Sequence, residues 1–431
     1  MRVCVVGAGW GGIAAALNAA ESGHRVTLIE AARDVGGRAR TLAVTRADGS
    51  TLELDNGQHI LIGAYGECLR LMRLVGVDPQ TALHREPLAL SFPDGSGLAL
   101  PDRAPPWDAL TGIARARGWS WREKLALLSR AAHWRMRGFR CAPGTTVAQL
   151  CAGLPRRLAD EFIAPLCVSA LNTPPESASG QVFLTVLRDS LFAGRGGSHL
   201  LLPRAPLGAL LPEPALRWLT RHGHAVRLGS RVRRLAMHEG RWQVDDEPFD
   251  AVLLACTSTE AARLVREADA PALARAPLQA WASAADPLGF GAIATVYAEQ
   301  PDARGPMLAR AMLALRATAT RPAQFVFDRA RLGGPAGVLA FVVSAFSGER
   351  DTLSDQVLKQ AREQLGLRAL QPLQTVVEKR AAFICAPALA RPPRTIAPGL
   401  QACGDYVDGP WPATLEGAVR HGLAAVQNLA P

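Results

Sequence analysis

Apolar residues follow three rhythms along this chain, and the changes of rhythm mark its elements. Val3 to Val6 form a short run rich in β-branched residues, as expected of a strand buried on both faces. An Ala-rich helical stretch follows, then a turn at Ser22-Gly23 and a second strand, RVTLIE, ending at Glu30. Much later the period becomes two. GAIATVYAEQ, AQFVFDRARL, GVLAFVVSAF and LQTVVEKRAAF, all between residues 275 and 385, predict antiparallel strands forming one wall of a substrate cavity. A helix over Leu353 to Leu367 interrupts them. The block from 100 to 200 is helical in pattern, most clearly from Pro105 to Arg140. Shorter strands are expected at Val226 to Leu228, Val232 to Leu235, Arg241 to Val244 and Ala251 to Ala255, with a turn at Asp245-Asp246. LQACGD makes a last strand ending at Gly404-Asp405, and a helix opens near Thr414. Thr414 can cap that helix, and Glu416 lies in its first turn, where a carboxylate favours the positive end.

The strand–helix–strand unit at the start carries Gly7-x-Gly9-x-x-Gly12, with Glu30 closing the second strand 23 residues after Gly7. This is the whole context a dinucleotide fingerprint requires. Gly7 permits the tight turn, Gly9 lets a pyrophosphate approach the backbone, and Gly12 allows close helix–sheet packing. The helix N-terminus faces the phosphate, and Glu30 accepts ribose hydroxyls. A plain glycine turn would not need that register. NAD and FAD both use such a unit. The pattern predicts an α/β chain whose Rossmann-like nucleotide-binding domain is assembled discontinuously from residues 1–100, 200–270 and 390–431. Residues 101–199 and 271–389 are expected to form an α+β substrate-binding domain, with a mostly antiparallel sheet and a helical subdomain.

Composition changes this picture in few places. With 431 residues and 48% hydrophobic content the chain is expected to be globular, with two or three packed units. Its eight cysteines form no C-x-x-C pair, and no histidines cluster at metal spacing, so reduced thiols, a cytoplasmic location and no metal are expected. No apolar run approaches a membrane span, and the first apolar stretch lacks the features of a signal peptide. The net charge of +10 comes without a nucleic-acid-binding motif, so no nucleic-acid partner is expected. From Pro105 to Arg140 the charge matters more. There Trp107, Trp119, Trp121 and Trp134 interleave with eight Arg or Lys against two acids. Such a stretch suits peripheral contact with the cytoplasmic face of an inner membrane, from which an apolar substrate would enter. The alternative is an amphipathic helix pair packed on its own domain.

DVGGRART follows Glu30 and adds a second Gly-Gly with an arginine. Gly37 and Arg38 would offer further donors and a cation to the same pyrophosphate. This resembles the signature of the FAD-dependent amine oxidase and phytoene desaturase superfamily, which points to FAD. LDNGQHILIGAY and GPWPATLEGAV narrow the resemblance to the squalene-associated FAD-dependent desaturases, or hydroxysqualene dehydroxylases. VFDRARL, EKRAAF and CGDYVDGPWPATLEGAVRHG extend it along essentially the whole chain. His421 departs from the pattern, since many relatives have Ser there.

The resemblance implies a GR2-type FAD domain with roles for particular residues. Gly57 would let backbone approach the flavin, and Val232 would present its backbone to the adenine. Asp405, after Gly404, would bind the ribityl or pyrophosphate region. Backbone N–H groups around Thr414, Leu415 and Glu416 would face flavin N1 and the C2 carbonyl, where a reduced flavin carries negative charge. The implied reaction is reductive dehydroxylation of hydroxysqualene to squalene, in squalene and hopanoid biosynthesis. Loss of water from the allylic alcohol leaves a delocalised cation, flavin N5 delivers a hydride to it, and a dry apolar cavity protects it. His59 and Tyr65 are candidate acids for the departing hydroxyl by proximity of motif. Gln58 and His59 face the ring or the substrate, unless His59 is a structural histidine satisfied by a carbonyl. Upstream squalene-pathway enzymes are candidate partners. Two other readings stay open: an FAD-dependent carotenoid or isoprenoid desaturase or isomerase, and a non-catalytic isoprenoid carrier.

Overall fold

Strands from three distant stretches of chain meet in one six-stranded sheet. The computed structural model describes residues 1–46, 48–192, 194–427 and 429. The sheet runs Ala225–Arg227, Arg25–Ile29, Arg2–Val6, Ala251–Leu254, Leu400–Ala402, Thr395–Ala397. All neighbours are parallel except the final pair. Both faces are covered, which explains the unbroken apolar runs. Val3, Val5, Leu28 and Leu253 pack toward the helices Trp10–Glu21 and Leu415–Gln427, while Cys4, Val6, Val252 and Leu254 join the core on the other side.

The first and last helices cross at backbone contact. A Cβ on Gly11 would lie 2.9 Å from the Ala418 carbonyl oxygen, and one on Gly422 would lie 2.1 Å from the carbonyl oxygen of Gly11. Gly12 is equally constrained, because a Cβ there would stand 1.9 Å from the Gly7 carbonyl oxygen. The close helix–strand approach expected from the fingerprint is therefore present.

The period-two stretches form a five-stranded antiparallel sheet in the order Met312–Ala314, Phe325–Asp328, Val338–Phe346, Phe290–Glu299, Gln371–Phe383. Val296, Phe341 and Val343 face one core together with Leu353 and Val357 of the helix Arg350–Leu365, whereas Tyr297, Phe325, Phe327 and Val342 face the other. This second face reaches the cavity described below.

One expected strand is displaced. Val232 to Arg234 are irregular, and the strand there is Leu235–His238, paired with Arg241–Val244. The cause lies outside the local pattern. The Asp245 carboxylate accepts the N–H groups of both Arg233 and Arg234, each at 2.9 Å, so ladder pairing begins at Leu235 opposite Val244.

The tryptophan-rich block forms the helices Trp107–Arg115 and Trp121–Met136, the second opened by a Ser120/Glu123 capping box. Its tryptophans divide. Trp119 and Trp134 are buried, while Trp107 and Trp121 are exposed together with Leu110, Leu125 and Met136. At about 100° per residue, Trp121, Leu125 and Met136 fall within roughly 60° of one side of their helix. Among the described residues no helix is long and apolar enough to cross a membrane.

Candidate functional site

The loop Gly36-Gly37-Arg38 lies against the first glycine turn. Gly9 and Gly36 form an isolated parallel bridge, and the Gly36 N–H donates to the Ala8 carbonyl at 2.9 Å. Glu30 organises this corner. Its two carboxylate oxygens accept from Ala8 N–H at 2.7 Å and Ala32 N–H at 2.8 Å, which leaves lone pairs free for further donors. The helix opening after Gly9 has no side-chain cap, and a Cβ on Gly9 would meet nothing within 4 Å. Uncapped N–H groups beside open space are what a pyrophosphate requires.

Arg38 ties this corner to two other parts of the chain. Its Nη1 donates to the Ala381 carbonyl at 3.0 Å, and its Nη2 pairs with Asp405. Asn56 fastens the same loop to the DNGQH segment, accepting from Arg40 N–H and donating to the Arg38 carbonyl, both at 3.0 Å.

The closing helix is capped as expected, with Thr414 Oγ1 accepting from Gly417 N–H at 2.9 Å and donating to the Trp411 carbonyl at 3.0 Å. The Glu416 side chain does something the sequence did not suggest. Fully buried, it accepts from the N–H groups of Glu67 at 3.0 Å and Cys68 at 2.9 Å, capping the helix Gly66–Leu74, and it pairs with Arg420 at 2.9 Å.

A cavity of about 290 Å³ opens beside these elements. Of the residues singled out from sequence, Arg38, Gly57, Gln58, His59, Tyr65, Thr414 and Leu415 line it. Gly7, Gly9, Gly12, Glu30, Gly37, Val232, Gly404, Asp405 and Glu416 do not. Leu90, Leu166, Phe325, Phe327 and Val342 give the cavity an apolar body. Sequence reasoning missed Asn172, Asp189, Glu378 and Trp411 on its wall. Trp411 Nε1 donates to Asp189, and its ring carries the Arg420 guanidinium 3.7 Å from the centroid, joining the closing loop to the helix Gly180–Leu191. Arg329 Nη1 donates to Gln58 Oε1 at 3.2 Å, while Gln58 Nε2 is buried with no partner among the described residues.

Burial decides the protonation of the two candidate acids. It pushes the His59 imidazole down to about 4, with the nearby Arg38 cation acting in the same direction against the Arg38 carbonyl. The ring is therefore neutral at pH 7. The Tyr65 phenol is pushed up, first by burial and then by Cys68 and Glu416, so it keeps its proton.

His421 packs on the closing loop, its Cε1 only 2.6 Å from where a Gly409 Cβ would stand. Burial, then Arg394 and Arg391, hold it down to about 4 against Asp405 and Asp408. A histidine whose folded value lies below its unfolded one stabilises fully above about 6.5, and that contribution fades as pH falls toward the folded value. His421→Ser is thus expected to lose less stability than wild type between pH 7 and 5, by about 2 kcal/mol. Urea unfolding at the two pH values checks this, and equal losses in the two proteins would refute it.

The Rossmann-like sheet, its uncapped helix opening and the apolar cavity lined by Arg38 belong to an FAD-dependent oxidoreductase. The profile of flavin containing amine oxidoreductases matches residues 10–430, and the chain belongs to that family. It is 29% identical to a hydroxysqualene dehydroxylase of Rhodopseudomonas palustris and 27% identical to one of Sinorhizobium fredii. Each match covers 98% of this chain and 97% of the relative. A 15-cis-phytoene desaturase of Capsicum annuum is 24% identical over 56% of this chain and 42% of its own. Among solved structures, an oxidoreductase of Methanosarcina mazei superposes with a TM-score of 0.75 at 16% identity, covering 99% of this chain and 100% of that one. The cyclohexylamine oxidase of Brevibacterium oxydans gives 0.68 at 17% identity, covering 99% and 98%.

Proposed function

We propose that this protein removes the hydroxyl of hydroxysqualene to give squalene, using reduced FAD. The observation that carries the reading is extent: the two hydroxysqualene dehydroxylases match along 98% of the chain, the phytoene desaturase along 56%. When bound, reduced FAD supplies the hydride that replaces the departing oxygen. The chain's residues supply the surroundings. Gly9 and Gly37 bring backbone to the pyrophosphate over the turn that Gly7 permits and the close packing that Gly12 allows, Glu30 takes the ribose, and Val232 offers its backbone to the adenine. Arg38 and Asp405, preceded by Gly404, hold the pyrophosphate and ribityl region. Gly57 gives the flavin room, and the N–H groups at Thr414, Leu415 and Glu416 favour its reduced, anionic form. Leu90, Phe325, Phe327 and Val342 keep water from the isoprenoid chain. Neutral His59 is a poor acid, and the buried Tyr65 phenol, though it holds its proton, is a weaker acid than a free one. Tyr65 Oη is the proposed proton donor to the departing oxygen because Tyr65 lines the cavity with its proton in place.

The test is anaerobic. Protein with reduced flavin is mixed with hydroxysqualene, flavin reoxidation is followed, and the lipid is extracted. Reoxidation matched by squalene supports the reading. Reduced flavin persisting beside unchanged alcohol would favour the second reading, an isoprenoid desaturase, which the phytoene desaturase match supports.

Peripheral membrane contact is proposed through Trp107, Leu110, Trp121, Leu125 and Met136, the exposed apolar residues of the arginine-rich helix pair. The first of these helices packs on Gly97–Ala99, whose partner strand carries Leu90 into the cavity wall. Trp121→Glu/Leu125→Glu is expected to weaken binding to anionic vesicles roughly tenfold or more. Flotation assays check this, and unchanged flotation would remove these helices from the contact.

A further inference from the structure

The cavity crosses the whole five-stranded sheet, and every strand contributes to its wall. Glu378 lies on the strand Gln371–Phe383, Ile293 on Phe290–Glu299, Val342 on Val338–Phe346, Phe325 and Phe327 on Phe325–Asp328, and Met312 on the opposite edge. Register links them: Glu378 stands opposite Ile293, Val342 opposite Phe325, and Phe327 opposite Met312. Neighbouring strands are about 4.8 Å apart, so the four steps from Glu378 to Met312 span about 19 Å of sheet.

The two ends of that span differ. Glu378 adjoins the cofactor corner. Its carboxylate is 3.6 Å from Arg40 Nη1 and 3.5 Å from Asn56 Nδ2, and the Ala381 carbonyl farther along the same strand holds Arg38. The other end is apolar. Met312, Leu88 and Leu90 line it, all buried, with the strand Ala89–Ser91 packed against Met312–Ala314. The hydroxyls of the wall lie elsewhere. Ser344 follows Val342 along its strand in the direction of Ile293. Ser198 follows Gly197, whose carbonyl accepts the Ala64 N–H beside Tyr65. Ser169 and Ser190 belong to the helices Ala164–Leu171 and Gly180–Leu191, and Ser169 is the one exposed residue among those described on the wall. The cavity therefore opens past Ser169 and ends blindly at Met312.

Carbon–carbon bonds of about 1.5 Å at near-tetrahedral angles advance an extended chain about 1.25 Å each. An arm of three isoprene units, about twelve carbons in line, then reaches about 14 Å and fits the span with room for its van der Waals ends. A fourth unit brings the arm to about 19 Å and leaves no such room. A whole squalene skeleton, about 24 carbons in line, reaches ~29 Å and cannot lie straight across the sheet.

We propose that the cavity is a length gauge. It takes one arm of an isoprenoid alcohol, three isoprene units from the hydroxyl-bearing carbon to a stop formed by Met312 with Leu88 and Leu90, and Met312 is the specificity-determining residue. The proposal rests on the dehydroxylation reading for the place of that carbon, beside the flavin. The rest of a longer substrate leaves past Ser169.

Geraniol, farnesol and geranylgeraniol are allylic alcohols with two, three and four isoprene units on a single arm. Their binding is titrated on the FAD-loaded protein, with the flavin oxidised, through the flavin spectrum. Wild type is expected to gain roughly tenfold or more from geraniol to farnesol, as the third unit is buried, and less than about threefold from farnesol to geranylgeraniol. Met312→Ala shortens the stop and is expected to give the fourth unit a gain of roughly tenfold while leaving geraniol unchanged. Met312→Trp fills the blind end and should weaken farnesol roughly tenfold but spare geraniol, an independent reading if the Ala variant fails to retain flavin. A wild type whose affinity climbs as steeply at the fourth unit as at the third, or variants that keep the wild-type length preference, overturns the proposal. Turnover of hydroxysqualene separates the two readings. If wild type makes squalene but shows no length preference, the gauge fails and dehydroxylation stands. If the preference shifts with Met312 and no squalene forms, dehydroxylation fails and the gauge stands.

Discussion

Replacing Arg38 with alanine is expected to lower FAD affinity roughly 10- to 100-fold, the scale of a lost charge-assisted hydrogen bond. Stability falls as well. Asp405, 5% exposed, loses the cation that balances it. Breaking a fully buried pair costs about 3–5 kcal/mol, but a third of the Arg38 side chain is open, so about 2 kcal/mol is the reasonable expectation here. The double variant Arg38→Ala/Asp405→Asn, read beside Asp405→Asn alone, separates the two effects. It removes the stranded carboxylate, so the melting temperature should largely recover while flavin retention stays low. Flavin absorbance after gel filtration, set beside thermal unfolding without added FAD, reads both. If the double variant recovers flavin along with stability, Arg38 serves only to neutralise Asp405.

Glu416→Ala should be the most damaging single change to stability in the closing helix, at about 3 kcal/mol. Two helix N–H groups, those of Glu67 and Cys68, lose their acceptor, and each buried unsatisfied donor costs roughly 1–3 kcal/mol. Arg420 loses its partner too, although it remains stacked on Trp411. Glu416→Gln keeps the volume but turns one oxygen into a donor facing an N–H, so it should recover at most half the loss. Chemical denaturation of the three proteins decides the matter. A Gln variant as stable as wild type would mean that a single acceptor serves both N–H groups.

These cases mark where the sequence was legible. The first 41 residues could be read because every feature there is local: a buried run, glycines at fixed spacing and an acid ending the next strand. The long strands could be read because their alternate residues enter two different cores. The local pattern puts Val232 in a strand, and nothing beside it discloses that the Asp245 carboxylate takes the N–H groups of Arg233 and Arg234. Glu416 reads as a first-turn acid, but the N–H groups it accepts lie 348 and 349 residues away. Asn172 gave no signal at all, since the Ala345 N–H that its Oδ1 accepts arrives from the five-stranded sheet, 173 residues away. The four tryptophans looked alike in sequence, and only packing sorts Trp119 and Trp134 from Trp107 and Trp121.

The crossing of Gly11 with Gly422 imposes an order on biogenesis. A ribosome adding residues one by one releases the first helix long before its partner exists. Until then the side of the first helix that Gly422 covers has no partner, although its other side already rests on the sheet, and Arg38 lacks the Asp405 that pairs with it. In the proposed reading, where Arg38 and Asp405 both hold the flavin, its capture therefore follows synthesis of the closing helix.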